Sequence, residues 1–414
     1  MASSVPTVSR LDYTPVLKLL DFLVRLTESV GLPLTRLEVD SILSASRRRT
    51  GLTDWGDEAF IERMRFLLVE INQAGFAPLG RAFMRASAIT AVRNRLQIEA
   101  YIGLHPEIES RPIEKPIFIV GFPRTGTTLV QNLLTLDDRN RALEFWELTQ
   151  VVPVSSDRAI DRRKRMEAAR LMLRLAYWAA PEMRTIHEVD VHSPEECWYL
   201  FQNIFAVLNN DLMSGVESIG DRLLESDMVG PYREYRRMLQ LLSEGAEFDR
   251  YVLKCPEHLW FIEDLLEVFP DACIVWTHRD PVSSVASYSS LISLQWRVLY
   301  GRIDPTVIGS HIANRFVQGV ERAMATRDAV GDENRFFDVD FRELTADPAG
   351  MIRRIQEHFD LPRPAETDAA VQAYLENGRH DKAGAHHYSF EQFGLDPTAL
   401  RTRFVPYIER FGLD

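Results

Sequence analysis

Apolar residues recur at three- and four-residue intervals through residues 10–105, in runs such as "VLKLLDFLVRLTESV" and "DEAFIERMRFLLVEINQAGF". That spacing gathers them on one face of a helix, so the region is predicted to be helical. The pattern breaks in "LHPEIESRPIEKP", which carries three prolines and no stripe. It reads as the joint between an N-terminal helical region, 1–110, and the remainder, 111–414. Ile117 to Val120 is a short apolar run rich in branched side chains, which suits a strand buried on both faces. Leu129, Leu133, Leu134 and Leu136 then mark a helix from Thr127 onward. Further on, "RYVLKCPEHLWFIEDLLEVFPDACIVWTHRDPVSSVASYSSL" alternates strand, helix, strand and helix, the rhythm of a βαβ unit. Its strands are Tyr251–Leu253 and Ala272–Trp276, the helix between them is Glu257–Val268, and Pro281 stands where a first helical turn tolerates proline. Between the two stretches of sheet, residues from about 155 to 245 are helical in pattern. The fold class that follows is α/β: a P-loop-like central parallel sheet flanked by helices, with an N-terminal helical region and a helical insertion.

The chemistry gathers at the strand ends. In "GFPRTGTT" the glycines Gly121 and Gly126 keep the spacing of a nucleotide-binding P-loop, but Thr127 occupies the position of its lysine and Thr128 follows. The loop delivers the chain onto a helix N-terminus, where the N–H groups of residues 125–128 and the helix dipole favour an anion. The two later strands each run into a cation, Lys254 and Arg279. Both therefore lie at the carboxyl edge of the sheet, where α/β folds bind ligands. Ser287, eight residues after Arg279, sits on the helix that begins near Pro281, so a guanidinium and a hydroxyl could clamp one phosphate.

Composition narrows the classes. The chain has 414 residues and a formal net charge of -12, which argues against general nucleic-acid binding, so basic residues matter only where they converge. Cys197, Cys255 and Cys273 form no C-x-x-C pair and read as buried small hydrophobes in a reducing, cytoplasmic setting. No apolar run approaches the ~18 residues of a membrane span, and "MASSVPTVSRLDYTPVL" has no signal-peptide core. Within the insertion, Asp157 to Ala180 is a basic amphipathic helix whose charges are expected to form a solvated face. Its Leu171, Leu173, Tyr177 and Trp178 are expected mainly in the core.

With these residues in view, the chain from about 115 to 414 resembles the sulfotransferases that use 3′-phosphoadenosine 5′-phosphosulfate (PAPS), and more closely the bacterial branch whose loop reads G-F-P-R-[ST]-G-T-T. The resemblance implies that Arg124, Thr125, Gly126, Thr127 and Thr128 hold the 5′-phosphosulfate end of the donor, with Arg124 in place of the P-loop lysine. "HRDPVSSVASY" is similar to the family's 3′-phosphate segment, which assigns Arg279 and Ser287 to that phosphate. Lys254 in "LKCPEH" resembles the strand-end lysine near the sulfuryl group. "RHDKAGAHHY" stands where the family has a glycine-rich segment, which brings in Lys382 and Gly384. The implied function is sulfuryl transfer to a hydroxyl of a small-molecule or lipid-like acceptor, without metal, by a chain compatible with a homodimer. The proton acceptor is placed first at His187, in "HEVDVHSPEE", with His192, His258, Glu144 and Glu147 as alternatives. His187, Arg124, Lys254 and His258 are thus the catalytic candidates. The competing readings are a P-loop NTPase or kinase, and a catalytically silent nucleotide-binding protein.

Overall fold

The computed structural model describes residues 11–186, 188–376 and 389–413. Seven strands occur among them: β1 (Leu11–Asp12), β2 (Ile117–Val120), β3 (Asn140–Arg141), β4 (Arg250–Lys254), β5 (Cys273–His278), β6 (Arg302–Ile303) and β7 (Phe336–Asp340). β1 and β6 form a small antiparallel ribbon, and the other five make one sheet in the order β3-β4-β2-β5-β7, every pair parallel. Each residue of β2, β4 and β5 is buried. Helices therefore cover both faces, as a parallel sheet requires.

Successive side chains of a strand point to opposite faces, and the core divides accordingly. Ile117 and Ile119 of β2, with Val252 and Val275, pack on Val130, Leu133 and Leu134 of the helix Thr127–Leu134 and on Ile352 and Ile355. Phe118 and Val120, with Leu253, Ile274 and Trp276, face the opposite layer. That layer contains the long helix Pro305–Val330, through Ile312 and Phe316, and helices of the insertion. The N-terminal helices have a core of their own around Ile42, Phe60, Met64, Val92 and Leu96, which also takes in Phe205 from the insertion and Leu299 from the helix Pro281–Tyr300.

The strand order creates one crevice. From β2 the chain moves outward to β3 on one side, and from β5 it moves outward to β7 on the other, so the carboxyl ends of β2 and β5 flank the point where the connections diverge. Ligands of open α/β sheets bind at such a point. The strands β2, β4 and β5 and the helix after β2 lie where the sequence places them; the short strands β1, β3 and β6 have no counterpart in that reading, and Pro256–Phe261 is a 3-10 turn with only Ile262–Val268 α-helical.

Candidate active site

The loop after β2 is shaped by three residues with positive φ. Gly121 has φ 130° and lies against the Thr277 backbone, so that a Cβ there would come within 2.5 Å of the Thr277 carbonyl oxygen. Gly126 has φ 94°, and a Cβ there would meet Leu344 at 2.7 Å. Between them Arg124 has φ 72°, a conformation that costs a non-glycine residue about 1 kcal/mol or more. Such a cost is tolerated where the surroundings fix the backbone, and here they do. The Thr125 hydroxyl is fully buried, donates to the Phe122 carbonyl at 2.7 Å and meets the Thr277 hydroxyl at the end of β5. What Thr125 offers an anion is thus its backbone N–H, and its hydroxyl braces the loop.

Arg279 closes the other side of the crevice. Its Nη1 donates to the Arg124 carbonyl at 2.9 Å, and its guanidinium lies 4.4 Å over the Phe341 ring. The stacked ring and the loop carbonyl hold the guanidinium in place. The preceding residue, His278, is locked between the Tyr407 hydroxyl and the Asp338 carboxylate, each at 2.9 Å. Asp280 caps the next helix by accepting from the Val282 and Ser283 N–H groups. Ser287 lies two turns into that helix and is buried.

Lys254 joins the donor loop to the insertion. Its Nζ lies 3.4 Å from the Thr128 hydroxyl and 3.3 Å from Glu196 Oε1, and the side chain is only 2 % exposed. Burial alone would lower its pKa, but the carboxylates of Glu196 and Glu195 outweigh burial and hold it above the usual lysine range. The ammonium is therefore charged at neutral pH. Sequence reasoning missed Glu196 as the partner of Lys254, because pairing across β4 and the insertion leaves no trace in spacing.

The segment that ends at Glu196 runs beside residues 143–146. Phe145 N–H donates to the Ser193 carbonyl, Glu195 N–H to the Leu143 carbonyl, and Cys197 N–H to the Lys254 carbonyl. This brings His192 Nδ1 to 3.2 Å from Glu144 Oε2. The Trp146 indole also donates to that carboxylate. His192 is four residues from Glu196, so the backbone places it within about 14 Å of the Lys254 partner at full extension. Glu144 and His192 remain partly exposed.

Two other candidates fall elsewhere. His258 is corrected by the structure: it is buried among Phe118, Phe201 and Tyr235, and its Nδ1 meets the Tyr232 hydroxyl at 2.8 Å. Burial pushes its pKa down to about 3, so it packs as a neutral ring with no route to an acceptor. Glu147 is buried, pairs with Arg141 and accepts from the Glu144 N–H at 2.9 Å, which is a capping role. The expectations for His187, Lys382 and Gly384 lie outside the described residues. The three cysteines are free and buried, as read from their spacing.

Residues 116–365 match the sulfotransferase family. The fold is similar to the crystal structure of sulfotransferase STF9 from Mycobacterium avium, with a TM-score of 0.82 and 31% identity, covering 91% of this chain and 97% of that one. It is also similar to sulfotransferase STF1 from Mycobacterium tuberculosis H37Rv, with a TM-score of 0.78, 28% identity, and coverage of 89% and 98%. In sequence the chain is 26% identical over 320 residues to the omega-hydroxy-beta-dihydromenaquinone-9 sulfotransferase Stf3 of Mycobacterium bovis, spanning 73% of this chain and 76% of that protein.

Proposed function

The chain belongs to the sulfotransferase family, and on that footing we propose that its donor is PAPS and its acceptor a hydroxyl on a lipid-like molecule. The observation that supports the donor reading is that Arg279 contacts the Arg124 carbonyl on one side of the loop after β2 and Lys254 contacts Thr128 on the other, around a loop whose glycines let it pack tightly on Thr277 and Leu344. These residues suit the group. Arg279 and Ser287 would take the 3′-phosphate, and the N–H groups of residues 125–128 with Arg124 the 5′ end. PAPS supplies a sulfuryl group on a phosphate leaving group.

The protein's own part is positioning and charge. Lys254, kept ionised by Glu196, stabilises negative charge that builds on the bridging oxygen as the bond to it breaks. His192, oriented by Glu144, is the described residue best placed to take the proton of the acceptor hydroxyl. The lipid-like acceptor is supported by the similarity to a menaquinone-derivative sulfotransferase. An NTPase reading is weaker, because β5 ends in Thr277 and a tightly bonded His278, where a magnesium-holding carboxylate would be required.

The test is turnover of labelled PAPS with a panel of hydroxylated lipids in the presence of a chelator. Transfer of label to a lipid alcohol supports the reading. ATP hydrolysis that needs magnesium, with no use of PAPS, contradicts it. Binding of donor without any transfer would indicate a silent protein.

A further inference from the structure

The insertion helix Arg158–Ala179 differs from its expected form. Leu171, Met172, Leu175 and Trp178 are 56%, 45%, 57% and 53% exposed. Leu171, Leu175 and Trp178 are spaced by four and three residues, so they form one stripe. Arg163, Arg170 and Arg174, spaced by seven and four, run along one edge of it and are exposed, and Lys164 lies on the same side two turns earlier. Glu167 is the acidic residue of that side. The helix carries seven basic residues against two acidic ones, in a chain whose net charge is -12.

The opposite face of this helix is committed to the active site. Met166 and Ala169 pack with Trp146, Val189 and Val191, and the Tyr177 hydroxyl both accepts from the Val189 N–H at 2.7 Å and donates to its carbonyl at 2.8 Å. The helix thus backs the segment that bears Glu144 and His192, while its outer stripe meets solvent. An exposed row of leucines ending in tryptophan and edged by arginines is the composition of a helix lying in a lipid interface. The first helix, Pro15–Ser29, also exposes Leu19, Phe22, Leu23 and Leu26, but its basic residues are Lys18 and Arg25 alone, and Arg25 is tied to Asp21 at 2.8 Å.

We propose that the outer face of Arg158–Ala179 docks on an anionic lipid surface, the stripe entering the acyl boundary and Arg163, Arg170 and Arg174 meeting the headgroups. Docking there would bring the segment that bears Glu144 and His192 to within one helix diameter, about 10 Å, of acceptors held in the bilayer, an inference that rests on the lipid-like acceptor proposed above. Each basic residue near such a surface adds attraction that salt screens.

The experiment is flotation of the full chain with vesicles of phosphatidylglycerol or of phosphatidylcholine. It uses the wild type, a Leu171→Gln, Leu175→Gln, Trp178→Gln variant, and an Arg163→Glu, Arg170→Glu, Arg174→Glu variant. All substituted positions are exposed, and circular dichroism verifies the fold. The expected result is binding to phosphatidylglycerol that weakens with salt. The apolar variant should lose it at least tenfold, and the charge variant should lose the preference for phosphatidylglycerol. Both should keep wild-type turnover on a short-chain alcohol dispersed in water. The proposal is overturned if the wild type ignores phosphatidylglycerol vesicles or if both variants bind as it does. It is also overturned if sedimentation shows a wild-type dimer that the apolar variant alone dissociates, because the stripe would then cover a second copy. Failure of turnover on every lipid alcohol, with vesicle binding intact, would remove the acceptor reading and leave the surface standing.

Discussion

The two sides of the active site are built on opposite terms. On the side proposed for the donor, the loop after β2 is pinned by the buried Thr125 and Thr277 hydroxyls, and Arg279 is held between a loop carbonyl and the Phe341 ring. On the side proposed for the acceptor, Glu144 and His192 are partly exposed, and the helix behind them turns an apolar row to solvent. A site that binds one nucleotide gains from cations fixed before the ligand arrives, because no reorganisation is then needed as charge develops. An acceptor that arrives from an apolar phase needs an open approach. Lys254 is the joint between the two, since it touches Thr128 of the donor helix and Glu196 of the acceptor segment.

Substitutions that separate these roles test the contrast, and the joint should give the largest effect. Lys254→Ala should lower single-turnover rates about a thousandfold, the upper range for removing one charge-stabilising group. It should also cost roughly 2 kcal/mol of stability, because Glu196 loses its partner. Adding Glu196→Gln should return the stability, read by thermal melting, but not the rate. If the double variant regained the rate, Lys254 would be a structural residue.

On the acceptor side alone, His192→Ala and Glu144→Gln should each slow transfer by about a hundredfold, near the lower range for a positioned base. Affinity for the 3′,5′-bisphosphate product should stay within a few fold. A normal rate in both, together with a comparable loss in His187→Ala, would move the proton acceptor to His187.

The smallest effect belongs to the buried core. His258→Gln should leave turnover within a few fold. The native state keeps this ring neutral down to about pH 3, whereas the unfolded chain takes up the proton below its ordinary value of 6.5. The unfolded state therefore binds more protons in that window, and stability contributed by the neutral ring falls as pH drops from 6.5 toward 3. His258→Gln should flatten this part of the stability-against-pH curve, measured by denaturant titration. A large rate loss at unchanged stability would return His258 to the chemistry.

The donor side was the more legible in sequence, and the reason is physical. Its residues sit at fixed offsets from strand ends: Gly121 and Gly126 after β2, Lys254 at the end of β4, Arg279 just after β5. Local periodicity locates those ends, and parallel pairing then brings them to one edge. Glu196, Phe341 and the Thr125–Thr277 pair gave no such signal, because each acts across elements far apart in the chain. The histidines show the limit most plainly. His192 and His258 are equivalent as letters, yet one lies beside a carboxylate near solvent and the other in an aromatic box. Leu171 and Trp178 read as core in the sequence but are exposed, because an apolar row at helical spacing does not reveal what it faces.

The proposed donor site places the 3′-phosphate on Arg279, in the crevice between β2 and β5. Isothermal titration of wild type and Arg279→Ala with the 3′,5′-bisphosphate product and with adenosine 5′-monophosphate measures this directly. A charge-assisted contact is worth roughly 1.5 to 3 kcal/mol, so the variant should bind the bisphosphate at least about tenfold more weakly and the monophosphate almost as before. Equal weakening of both ligands, or of neither, would contradict the account.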